Sequence, residues 1–126
     1  MNSCSSELAA KAYALLTLER RIAGIKFAYT LDEYQKMPAR GMQAKVAYCV
    51  VVKAAMAGRR LKLSREHSGC NGSSRALGFI APTEAFTSGE LYHGFGLYKD
   101  LPTSKQVANS MIACRKSCYG VMAQPL

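Results

Sequence analysis

The sequence predicts an α+β fold, with helices packed on a small mixed sheet of about three strands, in a single domain covering residues 1–126. Two hydrophobic patterns and one fact of composition predict it. Residues 6–20 and the stretch after Pro102 carry apolar side chains at helical spacing, whereas residues 22–30, 59–64 and 119–126 read as short strands. The 126 residues are 49% hydrophobic, enough for one core, and no repeat, low-complexity tract or linker divides them.

In chain order, residues 6–20 set Leu8, Ala12, Leu15 and Leu16 on one stripe, with Ser6 as N-cap and Glu7 four residues ahead of Lys11. Residues 22–30 (IAGIKFAYT) mix β-branched and aromatic side chains around Lys26, and Gly24 marks a bulge or close packing. Residues 31–40 hold Pro38 and several charges, which predicts a helical turn and a loop. Residues 41–57 are apolar around most of a helical circumference, through Met42, Val46, Cys49, Val50, Ala54 and Ala57, and Gly58 stands where a C′ residue belongs. This is the expected central buried helix. Residues 59–64 (RRLKLS) alternate like a short strand, Leu61 and Leu63 inward and Lys62 outward.

A glycine-rich loop and a short helix follow from His67. Beyond Pro82, Gly89, Gly94 and Gly96 are interspersed with Phe86, Tyr92, His93, Phe95 and Tyr98, but GFGLYK is not a dinucleotide fingerprint. Aromatic residues at this spacing predict core in preference to a stacking platform. Thr103 with Gln106 forms a capping-box pattern, and Val107, Met111, Cys114 and Cys118 repeat at helical spacing after it. Residues 119–126 (YGVMAQPL) close the chain as a strand.

Seventeen Lys and Arg against eight Asp and Glu give a net charge of +9. The excess is local: between Lys36 and Arg75, Glu66 is the one acid among Lys36, Arg40, Lys45, Lys53, Arg59, Arg60, Lys62, Arg65 and Arg75. Such a surface suits an anionic small molecule or a nucleic-acid backbone, or it is simply a solvated face. The first residues have neither the basic nor the apolar region of an export signal, and no apolar run reaches the roughly eighteen residues of a membrane span, so the expected location is cytoplasmic, with no membrane partner. Five irregularly spaced cysteines argue for reduced thiols over a disulfide framework.

The candidate site is the loop of residues 67–74. Two glycines permit tight backbone geometry and two serines can cap the following helix, so Gly72, Ser73, Ser74 and Arg75 are candidate anion-binding residues. Cys70 has small, polar and basic neighbours, which favour a stabilised thiolate, and His67 could serve as base, ligand or turn-capping residue. Cys49, His67 and Cys70 are therefore the candidates for a metal site or reactive thiol, with Cys114 and Cys118 as weaker ones. Zinc or an iron–sulfur cluster is the cofactor class these donors could take, although no pair of C-x-x-C knuckles is present. For Cys49, Cys114 and Cys118 the competing role is packing, since cysteine on an apolar stripe behaves as a small hydrophobe. No paired carboxylates and no G-x-S-x-G elbow point to acid–base or serine chemistry.

Cys49 and Lys53-Ala54 on a helix, Gly58, a short strand, Glu66-His67 with Cys70 and Gly72, then Ala76-Leu77-Gly78, Gly89 and Gly96-Leu97-Tyr98 follow an order that resembles the prokaryotic family called domain of unknown function 169, also labelled ArCR. The similarity runs from about Ile22 to the C-terminus. It implies a cytoplasmic protein of archaea and bacteria with no assigned activity, and marks Cys49 and Cys70 as the family-type cysteines. Family members run on past the strand matching residues 119–126, so the resemblance implies the N-terminal portion of a longer family-type chain. A strand edge left open in this way would pair with the absent half or with a second copy in a homodimer.

Two functions are expected from these residues. The first is a cysteine-dependent metal, redox or anionic small-ligand binding protein centred on residues 67–74. The alternative is a non-enzymatic basic module for nucleic acid or an acidic protein partner, with nucleic acid disfavoured because no RNP-type strand or KH-type loop is present.

Overall fold

The computed structural model describes residues 3–113 and 116–126. Seven α-helices and four strands are α1 (Ser3–Leu15), β1 (Ala23–Ala28), α2 (Leu31–Lys36), β2 (Arg40–Gly41), α3 (Tyr48–Met56), β3 (Leu61–Ser64), α4 (Asn71–Ala76), α5 (Glu84–Thr87), α6 (Glu90–Gly94), α7 (Leu101–Ala113) and β4 (Gly120–Pro125), among the described residues. A 3-10 turn, Arg65–His67, follows β3. The fold is α+β with a mixed sheet. Its residues fall into two compact units, one of residues up to Cys70 with Cys118–Leu126, the other Asn71–Ser117.

In the first unit the sheet order is β1-β4-β3-β2. β4 pairs antiparallel with both β1 and β3, and β2 runs parallel to β3. The fourth strand is the two-residue β2, too short to leave an alternation in the sequence. Because side chains alternate across a strand, Val121 and Ala123 of β4 share a face with Leu63, and α3 covers that face with Val51 and Ala55. Val51, Leu63 and Val121 are fully buried, each burial worth about 2 kcal/mol. The opposite face carries Ala28 and Met122, which pack with Met37, Tyr34 and Ala39.

The expected helix of residues 41–57 begins only at Tyr48. Backbone bonds capture the preceding residues: Met42 N donates to Lys62 O (3.1 Å), Val46 N to His67 O (3.0 Å), and Gly69 N to Val46 O (2.9 Å). A helix there would forfeit these bonds. At the other end the expected C′ glycine is in place: Gly58 has φ 91°, and its N–H and that of Arg59 reach Ala55 O and Ala54 O, both at 2.9 Å. The helical turn expected in residues 31–40 is α2, which forms under a capping box in which Glu33 N donates to Thr30 Oγ1 (3.2 Å) and Thr30 N to Glu33 Oε2 (3.2 Å). Lys62, expected outward, is turned against this helix, its Nζ donating to the carbonyls of Tyr34 (2.9 Å), Gln35 (3.2 Å) and Met37 (3.1 Å).

In the second unit, Phe86 is buried against Tyr92 edge-on at 5.4 Å, and Tyr92 lies 6.3 Å from Tyr98. Phe95 is exposed. Helix α7 starts two residues before the expected cap: Asp100 Oδ1, not Thr103, accepts the first-turn bond, from Thr103 N at 2.8 Å. The Thr103 hydroxyl first, and its backbone N–H with it, hold the Asp100 carboxyl below its ordinary range. The buried Ser104 hydroxyl donates to Gly89 O (2.6 Å), fastening α7 to the turn before α6.

Candidate functional site

The end of β3 and the turn after it form a dense polar cluster. Ser64, buried at the last position of the strand, lies with Oγ 3.0 Å from His67 Nδ1. The Tyr34 hydroxyl lies close enough to Ser64 that the serine side chain acts to lower the phenol pKa, against the larger effect of burial. Tyr34 packs on Tyr119 with ring centroids 5.5 Å apart, and the Tyr119 hydroxyl donates to Glu66 Oε1 (3.2 Å). Arg65 stacks over the Tyr119 ring at 5.3 Å while its guanidinium donates to Cys118 O (3.0 Å). Loss of water raises both phenol pKa values, Tyr34 helped further by Tyr119 and Tyr119 by its bond to Glu66. Both hydroxyls therefore stay protonated at neutral pH.

This turn is held rigidly. Arg65 N donates to Tyr119 O (2.8 Å), and Val46 bridges Ser68 through the two bonds already given, so residues 64–69 are tied on both flanks. Lys45 comes against Gly69, where a Cβ would sit 3.5 Å from the Lys45 Cβ. Ser64, Tyr34 and Tyr119 were not among the candidates from sequence. A signal existed, since the β3 alternation puts Ser64 on the Lys62 face. That face reads as solvent until α2 is known to cover it.

The candidates themselves are dispersed. His67 and Cys70 are half-buried on this turn, and Cys49 is exposed in the first turn of α3, three residues beyond Val46. Cys118 does not continue the α7 stripe, because that helix is assigned only to Ala113. It sits instead just before β4, fully buried, its thiol donating to Ala28 O (3.2 Å) and Gly120 O (3.1 Å). Burial pushes this thiol pKa up, as befits an inert structural cysteine. Cys114 lies outside the described residues. Among the described residues no three His, Cys, Asp or Glu side chains come together in a group that could hold a metal ion.

Gly72, Ser73, Ser74 and Arg75 lie in α4, the short helix expected after the loop. There Ser74 is buried, its carbonyl accepting from Phe79 N (2.8 Å) and Ile80 N (3.3 Å). Arg75 stacks over Phe86 at 5.8 Å, with its Nε buried and without a hydrogen-bond partner among the described residues. Among the described residues no helix is long and apolar enough to cross a membrane.

No curated protein and no solved structure matches this sequence. One family model does, over residues 12–126, and it includes every element from β1 to β4 together with the whole polar cluster around Ser64 and His67. With nearly the whole sequence inside that match, the chain belongs to the uncharacterised ArCR family, domain of unknown function 169.

Proposed function

We propose that this protein binds a small anionic ligand at the turn of residues 64–70, with the His67 imidazole as the principal donor and the Cys70 thiol as a second contact or reactive thiolate. The observation that carries the reading is the 3.0 Å contact between Ser64 Oγ and His67 Nδ1. A buried hydroxyl that holds one ring nitrogen leaves Nε2 as the open one. With Ser64 donating to Nδ1 the neutral ring bears its proton on Nε2; with the ring protonated, Nδ1 donates to Ser64 and Nε2 is again a donor. In both of these states a donor is held in one orientation before the ligand arrives, which removes part of the ordering cost of binding, whereas the neutral ring protonated on Nδ1 presents Nε2 as an acceptor and is the form an anion selects against. The flanking cations Lys45 and Arg65 add a positive field.

Inorganic phosphate and sulfate are the probes, read through the backbone amide resonances of residues 64–70. A saturable shift is expected that disappears in His67→Gln and weakens in Ser64→Ala. Cys70→Ser tests whether the thiol contributes to the same saturation curve. No saturable shift, or one that survives in His67→Gln, overturns the reading.

A further inference from the structure

The outer side of α3 carries a second feature, unrelated to the turn at His67. The segment that links α1 to β1 lies along this helix, tied to its end by Arg21 N donating to Met56 O (3.3 Å). Between them runs a groove of about 520 Å³ lined by Arg20, Tyr48, Cys49, Val52, Lys53 and Met56. It continues past Arg20, Val52 and Met56 into a second stretch of about 570 Å³ reaching Ile22 and Ala23. Each stretch has the size of a small-molecule site.

The chemistry of the lining is two-sided. Val52, Met56 and Ile22 are half-buried and offer a continuous apolar floor, which methionine adapts to ligands of differing shape. Arg20, Arg21 and Lys53 are exposed along the rim, against Glu19 alone of opposite charge in the lining. Among the described residues none of these three cations takes part in an ion pair. An apolar floor under an unpaired cationic rim is complementary to an anion with a hydrocarbon tail. A purely apolar ligand would leave the rim unused, and a small inorganic anion would leave the floor wet.

We propose that this groove binds a free alkyl carboxylate, its chain laid along Val52, Met56 and Ile22 and its carboxylate at Arg20 and Lys53. A linear chain matches an elongated groove of two joined stretches, and a carboxylate matches cations set beside an apolar surface. Cys49 stands on the groove wall as a built-in reporter, because a bound chain shields its thiol.

Calorimetric titration with hexanoate, octanoate and decanoate below their micelle concentrations tests this, alongside decylamine and alkyl-carboxylate-free buffer. Affinity is expected to rise by up to about fourfold for each added methylene until the groove is filled. Decylamine should bind far more weakly than decanoate, and Arg20→Gln with Lys53→Gln should weaken decanoate about threefold or more, as loss of exposed ion pairs does. In a Cys4→Ser protein, decanoate should slow labelling of Cys49. Ser64→Ala and His67→Gln should leave decanoate binding unchanged, which separates this site from the one at His67. Affinity independent of chain length, equal binding of decylamine, or unaltered Cys49 labelling at saturation overturns the proposal, as does decanoate uptake only above the concentration at which it forms vesicles.

Discussion

The Tyr34 ring occupies the space in which a Cβ on Gly120 would stand, and such a Cβ would also meet Leu63 O at 2.9 Å. A single absent methyl thus lets α2 close on the sheet and brings the Tyr34 hydroxyl to Ser64. The aromatic ring and the glycine are one device.

Gly120→Ala is accordingly expected to cost about 1–3 kcal/mol, the range for overpacking a filled core. Urea unfolding measures it. Adding Tyr34→Ala to Gly120→Ala should recover part of the loss, since residues in contact are not additive. A Gly120→Ala protein as stable as wild type would show that the ring does not rest there.

Lys62 joins three carbonyls at the end of α2 and lies with Nζ 4.7 Å from the Tyr34 ring centroid. Lys62→Met keeps the stem and removes the donors. The expected loss is about 1–3 kcal/mol, because the part-buried carbonyls are then left unsatisfied. Amide exchange should accelerate in α2 before it does in α3, and uniform acceleration would argue against a local cap.

Two glycines with positive φ separate steric from torsional cost. Gly89 (φ 87°) has no room for a Cβ against the Lys105 backbone, whereas Gly96 (φ 71°) has nothing within 4 Å of that position. Gly96→Ala should cost about 1 kcal/mol, from backbone strain alone. Gly89→Ala should cost more than twice that, because the Ser104 to Gly89 bond must move as well. Equal costs in thermal unfolding would place the clash elsewhere.

Raised pKa values give the protein an alkaline limit. Cys118, Tyr34 and Tyr119 hold their protons more tightly folded than unfolded. Their contribution is therefore fully present below the unfolded values, about 8.5 for the thiol and about 10 for the phenols, and is lost as pH rises through the folded ones. Unfolding free energy measured from neutral pH upward should begin to fall near the thiol value, and Cys118→Ala should delay that fall toward the phenol range. In the native protein Cys49 should react with a thiol reagent well ahead of Cys118.

The parts of the fold legible in sequence are those governed by local pattern. Alternation located β1, β3 and β4 within two residues, and Gly58 marked the end of α3 because only its own φ was at stake. Residues 41–47 were misread because their apolar spacing suits a helix, and what holds them extended is three bonds to residues distant in sequence. Cys118 followed the helical spacing of Val107 and Met111 by coincidence of number, beyond the point where α7 stops. Thr30 and Glu33 carry a capping-box pattern that was overlooked among the charges of residues 31–40. At the candidate site His67 and Cys70 were visible as residue types, but Ser64 and Tyr34 acquire meaning only once both sheet faces are known to be covered. The groove beside Cys49 has no sequence signature, since the segment of Arg20 and Arg21 meets the end of α3 through one backbone bond, from Arg21 N to Met56 O.

The central strand of the sheet, β4, is the last element of the chain, while its neighbours β1 and β3 lie far upstream. A ribosome making this protein therefore releases both neighbours of the missing strand, and then the whole of Asn71–Ser117, before anything can join them. Closing so long a connection is costly in entropy and slow, so the nascent chain waits with two unpaired strand edges facing the gap that residues 120–125 will fill. Unit 71–117, being one continuous stretch, has no such wait. Assembly is thus ordered in time by chain direction alone, and the half-built sheet is the stage at which a chaperone or a neighbouring nascent chain would find something to hold.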